Sequence, residues 1–223
     1  MTAPVVAERL AEVRGRIEAA GGAPERVRVV AVTKGFGADA VQAALAAGVT
    51  DLGESYADEL VAKSTAATGG APRWRWHFLG RVQRNKVRRV AGVVHLWHAV
   101  DRVAAGREIA VRAPGARVLV QVNVSGEERK HGCGFDEAPA LVDDLRGLGL
   151  DVRGLMAVGP TGPPELARPG YRRLAGLASA LGLGERSMGM TDDLEVAVEE
   201  GSTIVRVGRA LFGTRTGENQ LRR

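Results

Sequence analysis

Short apolar runs alternate with amphipathic, alanine- and arginine-rich stretches from residue 29 to residue 207, and this alternation constrains the fold more tightly than any other property of the chain. Strands are predicted over 29–34, 49–53, 75–79, 93–97, 117–124, 150–158, 185–190 and 203–207. Helical patterns lie between them, over 38–47, 56–67, 83–90, 100–112, 136–148, 171–181 and 192–200. Glycines such as Gly48, Gly80 and Gly201 punctuate the joints. Strand–helix alternation implies a parallel sheet, and eight such units in 223 residues imply a closed (β/α)8 barrel of the α/β class. One domain over 1–223 is expected, with a polar tail over 214–223 that frays. Ahead of the first strand, residues 4–20 place Val6, Leu10, Val13 and Ile17 at helical spacing, an extra N-terminal amphipathic helix ended by Gly21-Gly22. Small residues over 68–72 and a proline-rich segment over 159–170 read as loops. Asp136 is expected to cap one helix, and Thr191 or Asp192 another.

Composition narrows the class of protein. A hydrophobic content of 45% fits a packed globular chain. No apolar run approaches the length of a membrane span, and the N-terminus lacks a secretory signal's apolar stretch, so a cytoplasmic location is expected. The one cysteine, Cys133, excludes an internal disulfide and reads as a packing residue. The net charge of +5 suits an anionic ligand without demanding one.

The first strand, Val29-Val30-Ala31-Val32-Thr33-Lys34, is an unbroken apolar run that ends in a lysine. Such runs are buried on both faces of a parallel sheet, and a period of two puts Val30, Val32 and Lys34 on one face. On the interior face Lys34 stands at the mouth of an apolar space, which favours its neutral, nucleophilic amine. On the other reading the lysine ends a strand and reaches for water.

Barrels of this kind carry their sites at the C-terminal ends of the strands. Those ends supply Lys34, then Glu54 and Ser55, then His77 with Gly80, Gln83, Asn85 and Lys86, then His98. They continue with Asn123 and Ser125, Met156, the run Ser187-Met188-Gly189-Met190-Thr191, and Arg206-Val207-Gly208-Arg209. The loops after the last two strands are the usual phosphate site of the fold. Gly189 and Gly208 let backbone approach an anion, and Thr191 is expected at a helix start, where free N–H groups favour negative charge. Arg206 shares parity with Ile204 and points inward, so it needs a partner: a phosphate, a ring nitrogen or Glu54.

A lysine facing a phosphate cup suits a phosphorylated aldehyde bound as a Schiff base, and pyridoxal 5'-phosphate (PLP) is the common one. An arginine at its pyridine nitrogen keeps that nitrogen unprotonated, so the ring is a poor electron sink and carbanion chemistry is disfavoured.

Several stretches carry a family likeness: Val32-Thr33-Lys34, Gly53-Glu54-Ser55-Tyr56, and Trp76-His77-Phe78-Leu79-Gly80 followed by Gln83, Asn85 and Lys86. So do Ser187-Met188-Gly189-Met190-Thr191-Asp192-Asp193 and the run from Gly201 to Gly213. Together they resemble the YggS/PROSC family of pyridoxal-phosphate homeostasis proteins, from about Val29 to Gly213. The resemblance implies the fold-type III barrel of alanine racemase without that enzyme's second domain. It implies Lys34 as the Schiff-base lysine, Arg206 at the pyridine nitrogen, and Thr191, Gly208 and Arg209 at the phosphate. Ser55 and Met190 complete the expected cofactor-binding residues. Ser55 stands where the family usually has asparagine, and Arg81 follows Gly80 where proline or a small residue is common. The implied role is an intracellular PLP carrier that sequesters and delivers the cofactor, a monomer making transient contacts with PLP-dependent apoenzymes. No catalytic residue and no metal is assigned.

Three other functions compete. A racemase-type enzyme would need a second base opposite Lys34, and Tyr56 and Tyr171 are the chain's tyrosines. Gly35-Phe36-Gly37-Ala38-Asp39-Ala40 loosely matches a dinucleotide fingerprint, with Asp51 and Glu54 as acidic partners. Arg81, Arg84, Lys86, Arg88 and Arg89, near Trp74, Trp76 and Trp97, could bind single-stranded nucleic acid, but Val82, Val87 and Val90 give the same helix a packing face, so no nucleic-acid partner is expected.

Overall fold

The computed structural model describes residues 1–66, 74–127 and 129–214. The expected loop over 68–72 and all but the first residue of the expected tail lie outside the described residues.

The strands are β1 (Arg28–Val32), β2 (Asp51–Glu54), β3 (Arg75–Phe78), β4 (Val94–Val100), β5 (Arg117–Gln121), β6 (Asp151–Met156), β7 (Glu185–Ser187) and β8 (Ile204–Val207). They pair in parallel and in chain order, and β8 returns to β1 with Arg206 opposite Val30, closing the barrel. Closure leaves no unpaired edge. Helix α1 (Ala3–Ala19) precedes β1. Helices α2 (Ala38–Ala46), α3 (Ala57–Ala66), α4 (Arg84–Val90), α5 (Val103–Arg112), α6 (Ala138–Gly147), α7 (Arg168–Ala180), α8 (Leu194–Glu199) and α9 (Arg209–Phe212) follow the strands in turn. The (β/α)8 expectation holds, extra helix included.

Burial follows the strand period. Ala31, Leu52, Val118 and Val205 face outward into a shell shared with the helices, where Val6, Leu10, Val13 and Ile17 of α1 are all buried. Val30, Leu96, Leu119, Met156 and Ile204 face inward and form a second, smaller apolar cluster inside the barrel. His77, His98, Ser187 and Arg206 are buried there with them.

Several boundaries differ from the sequence pattern. β1 ends at Val32, so Thr33 and Lys34 open the following loop. β4 continues through His98, Ala99 and Val100, because the polar pair that turns the chain is Asp101-Arg102. β7 stops at Ser187, and Gly189 two residues on has φ +91°, a conformation no strand uses. The proline-rich segment is not all loop: a 3-10 turn spans Pro164–Ala167 and α7 begins at Arg168. Pro164 and Pro169 sit in first turns, where a missing N–H costs nothing. Asp136 does not cap α6; the N-cap is Glu137, and the Asp136 carboxylate is exposed.

Gly80 fixes the β3 loop against the β2 loop, since a Cβ there would lie 2.1 Å from the Ser55 carbonyl oxygen. Gly80→Ala is expected to lower stability by about 1–3 kcal/mol through overpacking, read from the urea-denaturation midpoint. An unchanged midpoint would contradict this close packing.

Candidate functional site

A cavity of about 230 Å³ opens at the C-terminal end of the barrel. Its wall includes Lys34, Ser55, Met190, Thr191, Arg206, Gly208 and Arg209, so the barrel brings together the seven residues expected to bind the cofactor. Val32, Phe36, Leu79, Met156 and Val158 supply apolar surface, and Asp192 lies at the rim. The volume is below the ~300–1,000 Å³ of pockets for drug-sized ligands, which suits one small molecule and not a dinucleotide.

Arg206 enters the cavity from β8 and is 5% exposed. Its Nη1 donates to the Ser187 carbonyl at 2.7 Å and to Ser187 Oγ at 2.7 Å, and its Nη2 donates to the Ala157 carbonyl at 2.8 Å. Burial pulls its pKa down. Glu54, one of its expected partners, is committed elsewhere.

That commitment frames Lys34. The buried Glu54 carboxylate accepts from Lys63 Nζ (2.5 Å), Thr33 Oγ1 (3.1 Å), Ser55 N (2.9 Å) and Tyr56 N (3.3 Å). Lys63 also donates to the Thr33 carbonyl at 2.7 Å and to Glu59 Oε2 at 2.8 Å, and Glu59 Oε2 accepts from Gly35 N at 2.9 Å. The residues before and after Lys34 are therefore both tied to one buried ionic cluster. Burial pushes the Glu54 carboxyl up and the Lys63 ammonium opposes it. Burial acts the same way on Glu59, but bonds from Lys63 and Gly35 hold it below its ordinary value. Sequence reasoning missed Lys63; its one local signal is the i, i+4 spacing from Glu59.

The opposite wall joins two loops. Met190 N donates to Asp193 Oδ1 (2.6 Å), and Tyr171 Oη donates to Asp193 Oδ2 (2.6 Å). Ala210 N donates to Thr191 Oγ1 at 3.3 Å, and Arg209 pairs with Asp192. Arg16 of α1 grips Glu195 through Nε (2.6 Å) and Nη2 (2.8 Å) and donates to the Thr191 carbonyl at 2.8 Å. Thr191 is not at a helix start: α8 begins at Leu194 with Asp193 at its N-cap, so neither Thr191 nor Asp192 caps it. The loop is held by side chains instead of a helix terminus. A Cβ on Gly189 would lie 2.5 Å from Ala197 Cβ, and one on Gly208 would lie 3.1 Å from the Val32 carbonyl.

Other expected mouth residues lie elsewhere. His77 and His98 sit inside the barrel, bonded to each other at 2.8 Å, because β4 runs past His98. Asn123 folds its own loop, donating to the carbonyls of Glu127 and Lys130. Neither tyrosine lines the cavity. Burial beside Asp193 pushes the Tyr171 hydroxyl far up. Burial raises the Cys133 thiol to about 11, an inert packing group. Trp76 and Trp97 are buried and offer no stacking platform beside α4. Asp51 bonds His77 inside the barrel, Glu54 bonds Lys63 between β2 and α3, and Gly35 N is given to Glu59, which removes the parts of a dinucleotide site.

Barrel, lysine loop and paired glycine loops define the class: the chain matches the model of the alanine racemase N-terminal domain over residues 8–216. Alanine racemase of Bacillus anthracis shares the fold, with a TM-score of 0.71 at 16% identity over 99% of this chain and 58% of that one. Much greater similarity runs to the pyridoxal phosphate homeostasis proteins of Pseudomonas aeruginosa (41% identity, 94% of this chain and 96% of that one) and Deinococcus radiodurans (40%, 95% and 100%). PipY of Synechococcus elongatus, solved with PLP bound, has a TM-score of 0.81 and 30% identity over 93% of this chain and 100% of that one. The chain belongs to the pyridoxal phosphate homeostasis protein family.

Lys63→Met strands the buried Glu54 carboxylate and is expected to cost about 3–5 kcal/mol in urea denaturation, against near-zero for Arg88→Met at an exposed position. A second expectation concerns Asp51. Burial alone would raise its pKa, but bonds from His77 and Arg75 outweigh that and hold it at about 2, below its ordinary 3.8. A depressed carboxylate stabilises the fold above the unfolded value and loses that contribution as pH falls through the folded one. The wild-type midpoint should therefore fall between pH 3.8 and about 2 with a component that Asp51→Asn lacks. Parallel profiles for the two proteins would contradict it.

Proposed function

We propose that the chain holds PLP in the cavity, covalently through Lys34, and exchanges it with other enzymes, keeping free aldehyde low. One observation carries the proposal. A lysine just past the end of β1 shares a single small cavity with a buried arginine and two glycine-bearing loops, and among the described residues lining it there is no tyrosine, histidine or glutamate to act as a second base. The names of the curated relatives and the PLP-bound PipY support the same ligand.

The residues fit the group. Lys34 offers an amine beside Val32, Leu79 and Met156, apolar surface against which a flat ring packs. Arg206 is always protonated and presents donors only, which is what an unprotonated ring nitrogen accepts. Thr191, Gly208 and Arg209 supply a hydroxyl, backbone N–H groups and positive charge for a phosphate. When bound, the cofactor supplies an aldehyde that a neutral amine attacks reversibly. The ionic cluster at Glu54 and Lys63 fixes the backbone on both sides of Lys34, which limits where the amine can reach.

Racemisation has less support. It needs a base on each face of a substrate carbon. Among the described residues lining the cavity there is no tyrosine, histidine or glutamate, and the one carboxylate, Asp192, is paired with Arg209. The chain also spans just 58% of the Bacillus anthracis racemase. No helix among the described residues is long and apolar enough to cross a membrane. The proposal has a monomer acting in the cytoplasm and making transient contacts with apoenzymes, with Ser55 and Met190 flanking the ligand.

Titration of purified protein with PLP, followed by visible absorbance after dialysis, tests this. The expected outcome is one equivalent of retained chromophore. Lys34→Ala should weaken retention by about tenfold or more, and alanine should not be racemised above background. A wild-type protein that retains no chromophore, or racemase turnover lost on Lys34→Ala, would overturn the proposal.

A further inference from the structure

Beneath the cavity, polar side chains from five strands stand in single file through the barrel. Asp51 Oδ1 of β2 meets His77 Nε2 of β3 at 2.8 Å. His77 Nδ1 meets His98 Nε2 of β4 at 2.8 Å, and His98 Nδ1 meets Ser187 Oγ of β7 at 2.9 Å. Ser187 Oγ accepts from Arg206 Nη1 at 2.7 Å. The row thus starts at a carboxylate near the N-terminal end of the barrel and ends at the guanidinium that lines the cavity. The two histidines and Ser187 are wholly buried.

The ends of the row dictate the direction of every bond in it. A carboxylate only accepts and a guanidinium only donates. Asp51 therefore requires the proton of His77 on Nε2. A neutral His77 then accepts at Nδ1, so His98 carries its proton on Nε2. A neutral His98 accepts at Nδ1, so Ser187 gives it the hydroxyl proton and keeps a lone pair for Arg206. Donation runs one way, from Arg206 through Ser187, His98 and His77 to Asp51. An extra proton on either ring would reverse part of the row and leave the Ser187 hydroxyl proton without its acceptor in the row.

The surroundings oppose that extra proton. Arg28 of β1 lies 3.9 Å from Asp51 Oδ1 and 3.3 Å from Glu185 of β7. Arg75 of β3 donates to Asp51 Oδ2 at 2.8 Å. The His95 ring of β4 lies tilted 6.1 Å from the His77 ring, and Arg206 faces the row from β8. Burial holds both His77 and His98 below the ordinary histidine value, with Asp51 pulling His77 the other way.

We propose that Asp51, His77, His98 and Ser187 are positioning residues for Arg206. Asp51 fixes both histidine tautomers, and those tautomers aim a Ser187 lone pair at Arg206 Nη1 and hold the guanidinium in its orientation toward the ligand. The row acts through Arg206 and touches no ligand itself. It rests on the proposed function only for the identity of that ligand.

Long-range proton–nitrogen NMR on 15N-histidine protein without PLP reads the tautomers directly. His77 and His98 should both be neutral with the proton on Nε2 from about pH 6 to 8, where an ordinary histidine titrates. Asp51→Asn should mix the tautomers of both rings, including His98, which Asp51 does not touch. In the same variant PLP affinity should fall on the order of tenfold, the scale of one lost charge-assisted bond, and the absorbance of bound PLP should shift. Ser187→Ala should weaken PLP to the same degree with fold intact by circular dichroism, and Ser187→Thr, which keeps the hydroxyl, should restore it. Nδ1–H or charged rings in the wild type, or an unchanged His98 in Asp51→Asn, would overturn the row. Wild-type tautomers with normal PLP binding in both Asp51→Asn and Ser187→Ala would overturn its hold on Arg206. Failure of the wild type to bind PLP defeats the proposed function instead. The row is then decided by the tautomers and by whether Arg206 guanidinium resonances, slow to exchange in the wild type, broaden in Asp51→Asn.

Discussion

A guanidinium held inside a parallel barrel is the interaction on which the site depends. A buried charge is expensive unless its donors are met. Arg206 meets three of these needs with the carbonyls of Ser187 in β7 and Ala157 just past β6 and with the Ser187 hydroxyl. The Ser187 carbonyl also accepts from Ala157 N at 3.0 Å, so one oxygen serves both the backbone pairing of β6 with β7 and the arginine.

Two lysines near the same mouth illustrate how environment assigns roles. Lys63 lies within 2.8 Å of two carboxylates and a carbonyl, so its donors are spent on structure. Lys34 lines the cavity, together with Val32, Leu79 and Met156 and with Arg206 and Thr191. The first holds the backbone that carries the second. A chain with Lys34 alone would have the nucleophile without the rigidity that aims it.

The barrel was legible because strand periodicity and turn glycines repeat at every unit. The cavity residues were legible because each follows a strand end, and strand ends of a closed parallel barrel converge. What escaped was long-range. Lys63 pairs with Glu54 and Thr33 only after α3 is rotated onto β2, a packing outcome that no local pattern records. Arg16 reaches the Thr191 carbonyl across 175 residues. His98 was placed at the mouth because His98-Ala99-Val100 reads equally as a strand end or a helix start, and burial inside the barrel decided for strand. Thr191 reads as a helix cap from its neighbours Asp192 and Asp193, but Asp193 is drawn to Met190 N and Tyr171, and the helix starts later.

The central claim is chemical: one particular amine, among several, is the covalent anchor. Borohydride reduction of PLP-loaded protein followed by peptide mapping tests it most directly. The account expects a single modified peptide, the one containing Lys34. Label on peptides carrying Lys63, Lys86 or Lys130, or no stable label at all, would contradict it.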